Sequence, residues 1–423
     1  MNERAPFLNR AYSAYHHRER PAEDEELTRV GPGTPCGEYL RRFWQPIVLG
    51  SELGELPRRL RILGEDLVAF RDKSGAIGLL ELHCPHRGTS LEFGLIADRG
   101  IRCCYHGWLF GCDGTIIETP GEPADSTLKD RLFHGAYPVH EYAGLVFAYM
   151  GPPQTRPPFP VLDTYDLPGY RLVARAPTLW ACNWLQVKEN SMDPAHLAFL
   201  HTLPGSEGFT DDFKELGEWD WMETPIGMVY IDTRRQGDRV WVRVADFILP
   251  NIHQFPPNAD PMALRNSVNR PMATTWAVPL DDAHTMQIGY YRAPEGKEPR
   301  RGGGFGQDAS RSYEERQRIP GDYDAQVSIH GGVARHGLEH LAATDRGIIM
   351  MRNMIRRGIR AVRNGEELGG PILRNGAAIP TYSHDRVVAG IAPAPSSAED
   401  RQLLRDVARN VVGDAVKRGL ASV

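Results

Sequence analysis

Cys84-Pro-His86-Arg-Gly and Cys103-Cys-Tyr-His106-Gly-Trp are the two short stretches around which this chain of 423 residues is organised. They read C-x-H, sixteen intervening residues, and then C-x-x-H. Each half supplies one thiol and one imidazole, and the glycine that follows lets backbone N–H groups approach the sulfur closely. The pattern therefore predicts a metal centre with two thiolate and two imidazole ligands.

Two kinds of metal centre fit this ligand set. A Rieske 2Fe–2S cluster has two thiolates on one iron and two imidazoles on the other, here Cys84, Cys103, His86 and His106. Tetrahedral zinc also accepts two thiolates and two imidazoles. Zinc fingers usually begin with a closely spaced pair of cysteines, whereas each half of this motif mixes the two ligand types. The sequence therefore favours the iron–sulfur cluster.

The length exceeds what a single hydrophobic core usually supports, so we expect several domains. Residues 1–44 are predicted to form an arm and a short helix, and residues 45–155 a small antiparallel β domain that carries the cluster. Residues 161–395 are predicted to form a second domain, and residues 396–423 a terminal helix. The fold class is α+β, with an antiparallel sheet flanked by helices, a helix-grip-like arrangement, in the second domain.

Composition and charge exclude some classes of function. The formal net charge is −5 and no long basic run occurs, so nucleic acid is not expected as a partner. No apolar run approaches the ~18 residues that a membrane span needs. The N-terminal stretch lacks the apolar core of a signal peptide, and we expect a cytoplasmic protein without membrane attachment.

A second stretch contains Asn190-Ser-Met-Asp193-Pro-Ala-His196 and, five residues on, His201. On a regular helix, side chains five residues apart point in different directions, so the helix must end or bulge for both imidazoles to meet one metal. Two histidines and one carboxylate form the facial triad of non-haem Fe(II) oxygenases. The sequence therefore predicts a second metal site at His196 and His201.

Asp345 is the carboxylate predicted to complete this triad. The segment from His336 to Arg363 has helical periodicity, and Asp345 interrupts its apolar face. A buried carboxylate is costly unless it is paired or bound to metal. An ion pair of Asp345 with Arg352 or Arg346 is the alternative. Two further acidic residues are weaker candidates for the ligand: Glu339 and Asp246.

From about Val30 to Arg360 the chain resembles the oxygenase component, or alpha subunit, of phthalate-dioxygenase-like Rieske non-haem iron oxygenases. The matching segments are VGPGTPCGEYLRRFW, LGEDLVAFRD, CPHRG, CCYHGW, the stretch from Asn183 to His201, and Thr344-Asp-Arg-Gly-Ile. The resemblance implies mononuclear Fe(II) on His196, His201 and Asp345. It also implies that Asp193 connects His196 to a cluster histidine of the neighbouring subunit, a role that His106 matches. The position of Asn190 resembles that in O-demethylating monooxygenases acting on vanillate and dicamba.

The family resemblance implies a terminal oxygenase that uses dioxygen to hydroxylate or O-demethylate an aromatic compound, most simply an aromatic carboxylate. Electrons would come from NADH through a separate flavin and iron–sulfur reductase or a ferredoxin, and the chain would assemble as a homotrimer or stacked hexamer. Arg243 and Arg234 lie on predicted strands and are candidates for binding a carboxylate, although such residues are more often on the surface. The competing classes are a Rieske electron carrier with an appended ligand-binding domain and an iron-dependent sensor.

Overall fold

The computed structural model describes residues 8–16, 20–203, 211–257, 269–296, 311–374 and 378–418. Within these ranges, no helix combines the length and the apolar character required to cross a membrane.

The N-terminal third of the chain consists of short helices and small antiparallel sheets. Its strands pair in the orders β1-β10-β9, β2-β3-β4 and β5-β6-β7-β8. The bounds are α1 Glu25–Thr28, α2 Pro35–Leu40, β1 Gln45–Leu49, β2 Arg58–Ile62, β3 Glu65–Arg71, β4 Ile77–Glu81, β5 Leu95–Ile96, β6 Ile101–Arg102, β7 Leu109–Phe110, β8 Ile116–Glu118, α3 Leu128–Arg131, β9 Val139–Tyr142 and β10 Leu145–Ala148.

The rest of the chain forms one large sheet with helices packed against it. The bounds are β11 Tyr170–Trp180, α4 Trp184–Asn190, α5 Ala195–Phe199, β12 Glu218–Thr224, β13 Gly227–Gln236, β14 Arg239–Ile248, β15 Ile252–Phe255, β16 Ala273–Asp281, β17 His284–Pro294, α6 Tyr313–Arg318, α7 Asp322–Val327, α8 Arg346–Arg363, β18 His384–Ala389 and α9 Ser397–Arg418. The described residues place these strands in the antiparallel order β11-β17-β16-β15-β14-β13-β12, and β18 also pairs with β14. The predicted α+β class is confirmed.

The central strands of the large sheet are buried on both faces. All ten residues of β14 except the first are buried, and eight of the ten in β13 are buried. Such strands lack the alternation of buried and exposed residues that marks a sheet with one face in water. Helices and the N-terminal strands therefore cover the sheet, and polar side chains on these strands face the protein interior.

One hydrophobic core joins the N-terminal sheets to the large sheet. It contains Val48 and Phe147 from the first part of the chain, and Trp276 and Ile355 from the second. A second, smaller hydrophobic core contains the two cysteines of the metal motif, together with side chains such as Val68 and Trp108. The cluster loops therefore rest on a local core, while the two larger parts of the chain share their interior.

The proline-rich segment between the two parts packs against the N-terminal part, which also bonds directly to the second part. Trp44 donates a hydrogen bond from its indole N–H to the carbonyl of Pro157, at 3.0 Å. Phe159 packs against Phe147, with ring centroids 4.9 Å apart. The amide of Asn251 donates to the side-chain oxygen of Gln45 at 2.8 Å. These contacts fix the relative position of the two sheets.

Helix α4 begins at a buried asparagine that anchors it to two other segments. The side chain of Asn183 accepts a hydrogen bond from the N–H of Leu185, which is the usual role of an N-cap residue. Its amide nitrogen donates to the carbonyls of Thr28 and Asp282, at 2.8 and 2.6 Å. This one side chain therefore connects α4 to the N-terminal arm and to the turn before β17.

We expect Asn183→Ala to destabilise the protein by about 2–3 kcal/mol, because it removes a helix cap and leaves two buried carbonyl groups without a donor. Thermal unfolding followed by circular dichroism measures the change. Asn364→Ala is the matched control, since this asparagine ends α8 and its side chain bonds only to an exposed glutamate. Equal melting temperatures for the two variants would contradict the anchoring role.

Candidate active site

The two cysteine–histidine loops fold in the same way. In each loop the cysteine N–H donates to the carbonyl five residues on, from Cys84 at 2.9 Å and from Cys103 at 2.8 Å. The glycine four residues on donates back to the cysteine carbonyl, from Gly88 at 2.8 Å and from Gly107 at 3.1 Å. Both glycines have φ near +75°, at 78° and 75°, a conformation that other residues rarely adopt. The two loops therefore share one backbone conformation, which places their thiols in equivalent positions.

The four side chains of these loops divide into a buried pair and an outer pair. Cys84 and Cys103 are 3% and 2% exposed, whereas His86 is exposed and His106 partly so. The ring centroids of the two histidines are 4.5 Å apart, and His86 stacks on Trp108. Burial raises the pKa of the Cys84 thiol to about 11, although N–H groups of its own loop donate to the sulfur and oppose this shift.

The spacing of the donor atoms separates the cluster from zinc. One tetrahedral zinc would bring its donors to within roughly 4 Å of one another. In the described ranges, no three of these four side chains bring their donor atoms to within 4.8 Å of one another. The loops therefore suit a two-iron cluster, in which thiolates and imidazoles bind different ions.

The helix that carries His196 ends before His201. Helix α5 runs from Ala195 to Phe199, and the chain then turns. The helix thus ends between His196 and His201, as the spacing of the two histidines requires. The imidazole Nδ1 of His196 donates to the backbone carbonyl of Asp193, so its Nε2 carries the lone pair. The two ring centroids are 5.2 Å apart. Both histidines can therefore direct a nitrogen lone pair to one point.

Asp322, the first residue of α7, brings the carboxylate to this point. Its Oδ1 lies 3.3 Å from His201 Nε2 and 3.7 Å from His196 Nε2. Ligand atoms that share a metal with bonds of about 2.1 Å are expected roughly 3–3.5 Å apart. Among the described residues, His196, His201 and Asp322 are the set whose donor atoms could hold one metal ion. The residues present fit a mononuclear iron site.

The neighbouring polar groups keep Asp322 in its charged form. Burial acts to raise the pKa of this carboxyl group, but the hydrogen bond and charge of His201 and the charge of His196 outweigh it. The amide of Asn190, the last residue of α4, donates to Oδ1 at 3.3 Å. The net effect holds the pKa of Asp322 below its ordinary value, and a charged carboxylate is the form that binds metal.

The prediction that Asp345 completes the triad is wrong in this structure. The predicted continuous helix from His336 does not form: α8 begins at Arg346, and Asp345 precedes it without a side-chain hydrogen bond to the helix. The carboxylate of Asp345 accepts a hydrogen bond from the N–H of Ala342 at 2.7 Å, at an exposed position. Asp345 therefore does not interrupt a buried face, and it is not brought to the two histidines.

The two weaker candidates for the ligand are committed elsewhere. Glu339 accepts two hydrogen bonds from the guanidinium of Arg352, at 2.6 and 2.9 Å. Asp246 accepts from the backbone N–H groups of Tyr382 and Ser383, both at 2.7 Å, and burial raises its pKa to about 7. Neither carboxylate faces the histidine pair.

No local pattern distinguishes Asp322 in the sequence. It follows Pro320 and Gly321 in a short polar helix, and Asp324 lies two residues on. In the structure Asp324 is bound by Arg311 and Arg316, so only one of two similar acids reaches the metal site. Asp322 is also far from His201 along the chain, so the sequence does not indicate that the two residues meet.

A cavity of about 150 Å³ opens beside the triad. One side, the helix wall, is formed by residues of α4, α5, α7 and the segments joining them, including Asn190, Asp193 and Asp322. The other side, the sheet wall, is formed by residues from β11 and β13–β17. It contains Arg175, Thr178, Tyr230, Arg243, His253, Phe255, Thr275 and Gln287.

The two arginines predicted as surface residues are both 2% exposed. Arg243 lines the cavity, and its guanidinium is bound by Asp385 and by the carbonyls of Pro256 and Pro257. Arg234 does not line it and pairs with Asp232. The expectation of exposure is wrong because the central strands are covered on both faces.

Comparison with known families and proteins gives consistent results. A family model described as "Rieske [2Fe-2S] domain" matches residues 43–141, which include both cysteine–histidine loops. The chain is 41% identical to the tert-butanol monooxygenase / tert-amyl alcohol desaturase oxygenase subunit of Aquincola tertiaricarbonis, over 95% of this chain and 91% of that protein. It is 37% identical to the phenoxybenzoate dioxygenase subunit alpha of Ectopseudomonas oleovorans, over 88% and 93%.

The fold also matches that of a solved structure. The crystal structure of dicamba monooxygenase bound to dicamba superimposes with a TM-score of 0.61 at 20% sequence identity. The match covers 77% of this chain and 99% of that one.

We expect Asp322→Ala to lose the mononuclear iron and to lower oxygenation by more than about a hundredfold, beyond the effect typical of a residue that only supports a ligand. Asp345→Ala is the control, and it should retain iron while losing no more than about 1 kcal/mol of stability, because it removes one exposed hydrogen bond. Iron analysis and unfolding measurements on both variants test this assignment. Retention of iron by Asp322→Ala together with its loss in Asp345→Ala would reverse the assignment.

Proposed function

Because the chain belongs to the phthalate-dioxygenase-like branch of the Rieske non-haem iron oxygenases, as the alpha subunit of the oxygenase component, we propose that it hydroxylates or O-demethylates an aromatic carboxylate. The observation that supports this proposal most directly is the presence of two different ligand sets in one chain. One is suited to a two-iron cluster, and the other is a pair of histidines with a carboxylate beside a cavity.

We assign the cluster to Cys84, His86, Cys103 and His106. The mononuclear iron is assigned to His196, His201 and Asp322. When bound, the cluster supplies electrons singly, and the iron supplies open coordination positions at which dioxygen can react. The protein side chains hold these groups and position the substrate in the cavity.

Asp193 is proposed to position His196 and to reach the neighbouring subunit. Its backbone carbonyl accepts a hydrogen bond from Nδ1 of His196, and one carboxylate oxygen lies 3.8 Å from the same nitrogen. The carboxylate also accepts a hydrogen bond from the N–H of Ala195 and remains partly exposed. Such a carboxylate can accept a further hydrogen bond from outside the chain, and His106 of the partner subunit is the proposed donor.

Asn190 is proposed to hold the carboxylate ligand in place. Its amide donates to the oxygen of Asp322 that faces both histidines. A supporting hydrogen bond of this kind fixes the orientation of a ligand before metal binds. The same amide lines the cavity, so it is also close enough to contact substrate.

The electrons are proposed to come from NADH through a separate reductase or ferredoxin. All strands that pair within the described sheets are antiparallel, whereas a dinucleotide-binding domain is built on parallel strands joined by helices. The proposed assembly is a homotrimer or a stacked hexamer, in which each cluster lies beside the iron of a neighbour.

An electron carrier is the competing class of function. A carrier needs the cluster but has no use for a second metal site next to a cavity. A sensor would need the iron but no electron supply. Both sites present together favour the oxygenase.

Reconstitution with a surrogate reductase and NADH tests the proposed function. We expect oxygen uptake that depends on an aromatic acid, with a hydroxylated product or with formaldehyde when the probe is 3-methoxybenzoate. Oxygen electrode traces and product analysis give the stoichiometry. A chain that carries about three irons and takes up electrons, but consumes no oxygen with any aromatic probe, would contradict the proposed aromatic substrate.

Asp193→Asn should keep both metals and lower turnover by at least about tenfold, since outer-shell hydrogen bonds to metal ligands typically matter by ten- to a hundredfold. The substitution keeps the size of the side chain and changes its hydrogen-bonding pattern. Single-turnover kinetics should show slow reoxidation of a reduced cluster. Unchanged cluster reoxidation in this variant would exclude Asp193 from the electron route.

Mixed assemblies give a sharper test of the same route. Chains with Asp322→Ala keep the cluster and lack the iron, while chains with Cys84→Ser keep the iron and lack the cluster. If electrons cross between subunits, mixing the two inactive chains restores part of the activity. Mixed assemblies as inactive as their parents would place the route within one chain.

A further inference from the structure

The sheet wall of the cavity carries polar side chains in one continuous row. Arg175 on β11 pairs with Gly289 on β17, which pairs with Thr275 on β16, which pairs with His253 on β15. Directly paired residues of antiparallel strands point to the same face of a sheet. Gly289 adds no side chain to the row, and a Cβ there would lie only 2.1 Å from the carbonyl oxygen of Thr274. Arg175 and Thr275 are therefore separated in the row by one strand that contributes only backbone.

Several buried polar atoms of this cavity have no hydrogen-bond partner among the described residues. Among them are Thr275 Oγ1, Trp180 Nε1 and Gln326 Oε1, in side chains 3%, 6% and 4% exposed. Nearly all buried polar groups in folded proteins are hydrogen-bonded, and exceptions require an explanation. Because all three side chains line the same cavity, a bound ligand with polar groups accounts for them.

Arg175 supplies the positive charge of this row. Its guanidinium carbon lies 4.0 Å from the ring centroid of Tyr291, and no carboxylate lies within ion-pair distance of it in the part of the chain that the structure describes. Stacking on a ring leaves the N–H edge of a guanidinium available for hydrogen bonds. Burial lowers the pKa of Arg175, and the weaker influence of Tyr291 opposes this shift.

The other arginine of the sheet wall is in a different situation. Arg243 is bound by Asp385 and by two backbone carbonyls, so an acid within the protein already balances its charge. The carboxylates that line the helix wall, Asp193 and Asp322, belong to the metal site, where a bound iron ion adds its own positive charge. On the sheet wall, a negatively charged group is favoured at Arg175, because no acid within the described residues balances that guanidinium.

We propose that Arg175, with Thr275 donating a further hydrogen bond, is the site that binds the substrate carboxylate and so selects aromatic acids over neutral aromatic compounds. The inference rests on the proposed oxygenation of an aromatic compound. A carboxylate held at the sheet wall directs the opposite end of the substrate, its ring or ring substituent, toward His196, His201 and Asp322. Arg175 thus determines which substrates are accepted and which of their atoms reaches the iron site.

Equilibrium binding measured by calorimetry on the full, iron-loaded protein tests this site without turnover. The probes are 3-methoxybenzoate and 3-phenoxybenzoate, each compared with its neutral carboxamide. We expect at least one carboxylate to bind about tenfold or more tightly than its carboxamide. Arg175→Gln should weaken carboxylate binding by about ten- to a hundredfold, the effect of losing hydrogen bonds to a charged group, and change carboxamide binding by less than about twofold.

Two further variants guard against a general structural effect. Arg171→Gln removes a positive charge from an exposed position on the same strand, and it should bind all four probes as the unmodified protein does. Thr275→Val keeps the shape of the side chain and removes its hydroxyl group. It should weaken carboxylate binding by less than Arg175→Gln does, with cluster and iron content unchanged.

The possible failures are distinguishable. If Arg175→Gln keeps the preference for carboxylates, the anion is bound elsewhere and the assignment is overturned. If the unmodified protein binds the carboxamides as well as the carboxylates, and oxidises a neutral aromatic compound, the inference fails while the oxygenase function stands. If carboxylates bind through Arg175 but no probe supports oxygen uptake, the carboxylate site stands and the oxygenase function fails.

Discussion

The guanidinium of Arg352 holds the helix that leads into the iron site. It extends from α8, donates to Glu189 on α4 at 2.6 Å, and binds Glu339 with two hydrogen bonds. Removing one partner from a buried charge network of this kind typically costs about 3–5 kcal/mol. Glu189 immediately precedes Asn190, whose amide supports Asp322. The position of the carboxylate ligand therefore depends on an ion pair that never touches the metal.

The local part of each site could be predicted from the sequence, and the distant part could not. Each cysteine–histidine loop has its ligands and its essential glycine within a few residues, so spacing alone determines the geometry. The same holds for His196 and His201, which require only that a helix end between them. Asp322 comes from a short helix that packs against α4 through the tertiary fold. Its choice over Asp324 depends on which neighbours the folded chain provides.

The error at Asp345 has a physical cause. Helical periodicity shows which residues would share a face, but it does not show where the helix begins. The chain around Glu339 is extended, and α8 starts at Arg346, so the apparent apolar face before that residue does not exist. Asp345 lies before that start, and its carboxylate accepts a hydrogen bond from the N–H of Ala342 in the preceding turn. The expectation that the arginines of β13 and β14 are on the surface fails for a related reason. A strand covered on both faces shows no alternation of buried and exposed residues.

Overall identity to relatives does not by itself indicate the substrate. Two relatives of similar identity are named for an alcohol and for phenoxybenzoate, which differ in charge. Membership of one family is compatible with either kind of substrate. In the proposed site, one guanidinium without an internal acid makes the potential positive at one end of a small cavity, and this favours an acid over an alcohol.

The hydrophobic core that passes through both sheets has a consequence for electron transfer. When a cluster domain is joined to the rest of a protein by a flexible hinge, rotation of that domain can shorten the distance that an electron must cross. The frequency of the rotation can then control the rate of electron transfer. Here Val48, Phe147, Trp276 and Ile355 belong to one interior, and the connecting prolines are packed into it. The separation between the cysteine–histidine loops and the histidine pair of the same chain is then set by the fold. Under the proposed intersubunit route, electrons reach the iron only after chains assemble, and subunit association, not domain motion, then controls the rate.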